Sequence, residues 1–323
     1  MPYELPPALS EHAERQRGVV TRKQAIEAGL SRETISYRVR SGRWQQLHTG
    51  VYAVFSGKPD RQAVLWAAVL RAGTGAMLSH QTAAELDDLF DEPAPRIHVT
   101  IPSNRRLQAM KGVVIHHRLD AKRIIHPAHL PPRTWIEDTV LDLADDARTS
   151  WDAVGWITRA IGRRLTTRDQ LRGALAQRSR FRWRSEVALA LSPDADGIHS
   201  ALEYRYFRDV ERPHRLPKAR RQARVKRGDA IEYRDVLYDE FELAVELDGQ
   251  IAHQPEDRWR DVRRDNAAAA QGLVTLRYSY RDVTVSPCAV AKEVGEALKR
   301  RGWRGTIHPC GLDCPIVRSE SAS

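Results

Sequence analysis

The stretch EYRDVLYDEFELAVELDGQIAH (Glu232 to His253) decides the fold of the C-terminal part, because apolar residues and carboxylates alternate at the two-residue period of a strand. IEYRDVLY and FELAVELD read as two strands. In the second, Phe241, Leu243, Val245 and Leu247 take one face, leaving Glu242, Ala244, Glu246 and Asp248 on the other. If Asp239 and Glu240 form a two-residue turn, Asp235 opposes Ala244 and has Glu246 as its diagonal neighbour, about 7–8 Å away and within reach of one shared ion. Carboxylates placed side by side repel unless a cation lies between them, and oxygen ligands on a sheet suit Mg²⁺ or Mn²⁺. His253 could then shuttle a proton or position a phosphate. The alternative is a solvated sheet face with His253 as an ordinary loop residue.

Outward from this stretch, Ser200 is placed to cap a helix beginning ALEYRYFRDV, with Glu203 as its capping-box carboxylate. A helix near Arg258 to Gln271 and a final strand LVTLRYS come after the two central strands. The order α-β-β-α-β implies a mixed α/β domain over residues 196–304, with 305–323 as a flexible tail.

The succession Glu203, Asp235, Glu246-Leu247-Asp248-Gly249, His253, Arg264-Asp265 and LVTLRYS resembles the PD-(D/E)XK restriction-endonuclease-like superfamily, and within it the very-short-patch-repair-like proteins with a VDF…VELDG…H pattern. That resemblance implies a restriction-endonuclease-like mixed sheet flanked by helices. It makes Asp235 and Glu246 metal ligands for Mg²⁺ or Mn²⁺, and Glu203, Asp248 and His253 further active-site residues. Two positions depart from the pattern. Val236 replaces the usual Phe, and Asp248 stands where the superfamily carries its active-site Lys, leaving His253, Arg263 and Arg264 as the local basic groups.

At the other end, Thr21 with Gln24 reads as a capped helix stopping at Gly29, and Ser31 as the cap of a second, SRETISYRVRSG, ending at Gly42. Ile35 and Val39 would bury, leaving Arg32, Ser36, Arg38 and Arg40 for outward faces. RWQQLHTGVYAV reads as a hairpin, so residues 1–60 form a winged helix whose second helix would enter a major groove, with Arg43 and the wing near phosphates. A helical module that binds protein is the alternative. RGVVTRKQAIEAGLSRETISYRVRSGRW, LHTGVYAV and SHQTAAELDDL resemble the N-terminal region of AbiEi-type antitoxins, which implies a bacterial DNA-associated protein with antitoxin or repressor behaviour and a possible toxin partner.

Between these ends, residues 61–195 read as a mixed α/β connecting module: two helices within 61–89, strands RIHVTIP and GVVIHHR, and helices from Thr134 onward. His98, His116 and His117 read as ordinary strand histidines. Over the 323 residues the net charge is +10, which favours a polyanionic partner. Arg212 to Arg227 holds eight Lys or Arg and no acid, and Arg159 to Arg184 nine Arg against one Asp. Arg220, Arg221, Arg224 and Lys226 are accordingly candidate DNA contacts. The absence of an 18-residue apolar run and of an apolar leader segment predicts a cytoplasmic protein without membrane contact. His308, Cys310 and Cys314 could hold zinc only with a fourth ligand that the segment itself does not supply.

Two functions emerge. One is a Mg²⁺-dependent DNA endonuclease delivered by the winged helix. The other is a non-catalytic DNA-binding regulator or antitoxin-like repressor that has kept the nuclease shape without its chemistry.

Overall fold

The computed structural model describes residues 4–227, 230–248 and 272–316. Contacts divide the chain into two compact units, Met1–Asp146 and Ala147–Ser323. The division falls inside the segment 61–195 that the sequence groups as one connecting module.

The first unit opens with α1 (Pro7–Arg15), β1 (Val19–Thr21), α2 (Arg22–Glu27), α3 (Arg32–Arg40), β2 (Gln45–His48) and β3 (Val51–Ala53). Local chemistry sets the helix starts. Thr21 and Gln24 form a reciprocal capping box, and the Ser31 hydroxyl accepts from the Thr34 amide at 3.1 Å. Gly29 and Gly42, with φ of 90° and 72°, come just after the two helix ends in the left-handed conformation that glycine adopts without strain. The three strands form one antiparallel sheet in the order β1-β3-β2. This is a winged-helix arrangement. Strand parity divides its core: Val20 and Tyr52 pack with Leu9, Ala25, Ile35 and Trp44, while Val19 and Val51 pack against Ala63, Trp66 and Ala67.

Those last three residues belong to α4 (Arg61–Ala72), which ties the winged helix to the rest of the first unit. That remainder consists of β4 (Met77–Leu78), α5 (His80–Leu86), β5 (Ile97–Pro102), β6 (Val113–Arg118), α6 (Ala121–Ile124) and α7 (Ile136–Asp145). The sheet runs β4-β5-β6, with β5 and β6 parallel. Ser79 precedes α5 but makes no side-chain cap; its hydroxyl accepts instead from Thr100 at 2.8 Å.

In the second unit, α8 (Ser150–Gly162), α9 (Arg168–Ala176), α10 (Arg184–Ala190) and α11 (Ala201–Arg205) precede a π-helical continuation over Tyr206–Glu211. Strands β7 (Arg220–Arg227), β8 (Ala230–Tyr238), β9 (Leu243–Asp248) and β10 (Val274–Ser279) form a mixed sheet, and α12 (Tyr280–Val285) and α13 (Pro287–Arg300) come after it. Its order is β10-β9-β8-β7, antiparallel except for the β9–β10 pair. The alternation read from the sequence holds: Val236, Tyr238, Leu243, Val245 and Tyr278 meet Val290, Val294 and Leu298, while Leu237 and Ala244 pack with Ala223 on the other face.

The register between β8 and β9 differs from the expected one. Asp239–Phe241 form a 3-10 turn and Glu242 takes a left-handed conformation (φ 45°), so the connection is longer than two residues. Leu237 therefore pairs with Ala244 and Val236 with Val245, which carries Asp235 away from Ala244 and toward Glu246. Ile307 and Ile316 are buried in the same core, so the beginning of the segment expected as a tail is packed. Among the described residues, no helix is long and apolar enough to cross a membrane.

Candidate functional site

Two constellations from the sequence can be traced, one in each unit. In the winged helix, α3 exposes Arg32, Ser36 and Arg40, and Arg43 is exposed just beyond it. Residues four apart stack on one helical face, so Arg32, Ser36 and Arg40 form a single polar row. Tyr37 is also exposed, with the Arg43 guanidinium 5.9 Å from its ring. Glu33 is the acidic member of the first turn. Arg38 departs from the expectation of an outward face. It is 6% exposed, with its guanidinium 5.2 Å from the Trp44 ring, and it packs the helix onto the hairpin. The physical reason is helical phase: Arg38 lies three residues after Ile35, on the side that faces the core.

In the second unit, the carboxylates meet around the β7–β8–β9 sheet. Ser200 caps α11 by accepting from the Glu203 amide at 3.1 Å, and the Glu203 carboxylate reaches back to the His199 amide at 3.0 Å. Its other oxygen accepts from Gln222 Nε2 at 3.1 Å, and the same amide reaches Asp235 Oδ1 at 3.4 Å. Gln222 sits in β7 with φ 44°, a left-handed conformation that costs energy for a non-glycine residue and that accompanies this bridge. Burial, reinforced by the Asp235 charge, pushes the Glu203 carboxyl up to about 7. Asp235 Oδ2 accepts from the Leu247 amide at 2.8 Å, so the aspartate side chain ties β8 to β9.

Glu246 has a different environment. Its Oε1 accepts from Arg234 Nη1 at 2.9 Å, and the two side chains are 7% and 0% exposed. Asp248 is partly exposed, with Arg277 Nη1 at 3.8 Å from its Oδ1. A divalent ion shared by Asp235 and Glu246 would have to compete with the partners that these carboxylates have here. A buried guanidinium already neutralises Glu246, and the Asp235 oxygens are engaged by Leu247 and Gln222. Among the described residues, two groups of three or more donors have their ligand atoms within 4.8 Å of one another, and neither includes Asp235, Glu246 or Glu203. His253, Arg263, Arg264 and the helix expected near Arg258 to Gln271 lie outside the described residues.

The basic strand β7 separates into different environments. Arg224 is exposed, and Arg220 is half exposed and paired with Asp239 at 2.6 Å. Arg221 is a correction to its assignment as a phosphate contact: its side chain is 1% exposed and pairs with buried Glu211 at 2.6 Å, with the Phe207 ring 4.8 Å from the guanidinium. Lys226 pairs with Ile231 through the backbone, and its side chain lies outside those described.

One of the two donor groups is in the first unit. The rings of His80, His98 and His116 stack, with His80 and His116 centroids 3.6 Å apart, and His98 Nδ1 lies 3.0 Å from His116 Nε2. One of these nitrogens donates and the other accepts, so the pair is bonded within itself. Burial, aided by the charges of His116 and Arg96, holds His98 down at about 4. His117 is exposed and separate. Sequence reasoning missed His80 as a member, and strand parity brings only His98 and His116 to neighbouring positions.

A winged helix with an exposed basic row on α3, joined in the same chain to a mixed α/β unit, is the class that these features define. Residues 7–54 match the family described as "Transcriptional regulator, AbiEi antitoxin". No curated protein matches the chain.

Proposed function

We propose that the chain is a DNA-binding regulator of the antitoxin type, with α3 presented to the major groove and Arg32, Ser36, Arg40 and Arg43 as its contacts. The observation that carries this reading is the exposed Arg32–Ser36–Arg40 row inside the segment that matches the antitoxin regulators. An exposed helix of this length supplies base contacts from one face, while arginines at its ends neutralise phosphates. Arg220 and Arg224 are additional phosphate contacts in this reading. A toxin protein is a further proposed partner, consistent with the matched family's description.

In this reading the C-terminal unit is a scaffold: Arg234 holds Glu246, and on the resemblance to restriction-endonuclease-like proteins Asp248 stands where most of them carry a lysine, although Asp is common there in the ELDG relatives. Footprinting on duplex DNA from the region upstream of the protein's own reading frame tests both parts. The proposal expects a protected segment and intact strands with Mg²⁺ or Mn²⁺ present. Strand scission abolished by Asp235→Ala would replace it with the endonuclease reading.

A further inference from the structure

Three cysteines and one histidine that lie far apart in sequence converge at the edge of the second unit. Cys288 is in the first turn of α13, His214 comes just after the π-helical segment, and Cys310 and Cys314 belong to the C-terminal segment. Their ligand atoms all lie within 4.8 Å of one another. Cys288 Sγ is 3.5 Å from Cys310 Sγ and 3.7 Å from Cys314 Sγ, and Cys314 Sγ is 3.8 Å from His214 Nε2.

These separations identify the chemistry. A disulfide brings its sulfurs to about 2.05 Å, far closer than any pair here. Four ligands arranged tetrahedrally around zinc, with Zn–S near 2.3 Å and Zn–N near 2.0–2.1 Å, stand about 3.5–3.8 Å from one another. The histidine is already set for this role. Its Nδ1 lies 2.8 Å from the Val210 carbonyl, which can only accept, so Nδ1 carries the proton and Nε2 turns its lone pair toward the cysteines. His214 is fully buried, whereas Cys310 is exposed, so the site is anchored from the core and closed from the surface. Cys288 lies in the first turn of a helix of 14 residues, so its backbone position is fixed by regular secondary structure.

We propose that His214, Cys288, Cys310 and Cys314 form a structural zinc site that pins the C-terminal segment to α13 and to the end of the π-helical segment. With three thiolates and one imidazole the coordination shell is closed, which is the arrangement of structural zinc and leaves no position for substrate. Binding releases the thiol protons to solvent, and the metal links three distant parts of the chain. The backbone bond from the His308 amide to the His214 carbonyl, at 3.0 Å, holds the same segment in place, whereas the His308 side chain is no part of the ligand set.

The test is elemental analysis of the full chain purified without added metal, together with Co²⁺ substitution of the metal-stripped chain. The expected result is about one zinc per chain and a cobalt spectrum with thiolate charge-transfer and tetrahedral d–d bands. Cys310→Ser, at the exposed ligand, lowers the zinc content or weakens its retention by at least tenfold, while His308→Ala retains it. A freshly purified wild-type chain with neither zinc nor a cobalt–thiolate band overturns the proposal, as does a disulfide among these cysteines. Loss of metal in His308→Ala matching that in Cys310→Ser overturns the ligand assignment.

Discussion

Replacing Glu246 by Gln removes a carboxylate charge from contact with the buried Arg234 guanidinium. An arginine stays protonated in proteins, so it cannot relieve the cost by losing a proton. With side chains 0% and 7% exposed and a 2.9 Å contact, this pair belongs to the buried class, in which removing one partner costs about 3–5 kcal/mol. For a unit the size of Ala147–Ser323, each kcal/mol lowers the melting temperature by about 2–4 °C, so Glu246→Gln is expected to melt about 6–20 °C below wild type. Differential scanning calorimetry of the full chain reads this from the transition of the second unit. The double variant Arg234→Met with Glu246→Leu is expected to recover much of the loss, because an apolar pair of similar volume avoids the desolvation of two charges. A Glu246→Gln transition within about 2 °C of wild type would refute the structural role of the pair.

Two further outcomes test the electrostatics of the same unit. Because the folded-state carboxyl of Glu203 is held at about 7 rather than its ordinary 4.5, the folded chain keeps a proton that the unfolded chain releases, and stability falls as pH rises between those values. The shift corresponds to ~3 kcal/mol, so urea titrations should find Glu203→Gln gaining on wild type by about that amount between pH 4.5 and 8. A difference between the two that does not vary with pH would exclude the shift. Arg221→Ala should cost about 3–5 kcal/mol at pH 8 and less at pH 5, where Glu211, pushed up to about 7 by burial, takes a proton in place of its partner. Arg224→Ala, at an exposed position, should stay within about 0.5 kcal/mol of wild type at both.

What the sequence made legible was local. Thr21, Ser31 and Ser200 cap the helices expected of them, because a hydroxyl and an amide three residues away need no tertiary partner. The parity of Leu243, Val245 and Leu247 likewise comes from the strand repeat alone. The β8–β9 register was not legible, since it turns on Glu242 adopting a left-handed conformation that its residue type does not announce. The sequence reading puts Arg38 on an outward helix face and Arg221 among the DNA contacts. Both are instead buried, against Trp44 and Glu211, and Arg234, to which that reading assigns no role, is buried against Glu246; the fold brings these partners near. The cysteine site was obscured for the same reason: Cys310 and Cys314 lie close in sequence, but Cys288 and His214 come from elements that meet only in the folded unit.

The central claim is that the exposed row of α3 binds DNA, and its most direct test is the salt dependence of binding to duplex DNA from the footprinted region, measured by fluorescence anisotropy. Each phosphate neutralised contributes about 0.9 to the slope of log affinity against log salt. If Arg32, Arg40 and Arg43 each neutralise one phosphate, the triple alanine variant should bind more weakly with a slope shallower by about 2–3, while its thermal transitions stay at the wild-type positions. Unchanged affinity and slope in that variant would contradict the account.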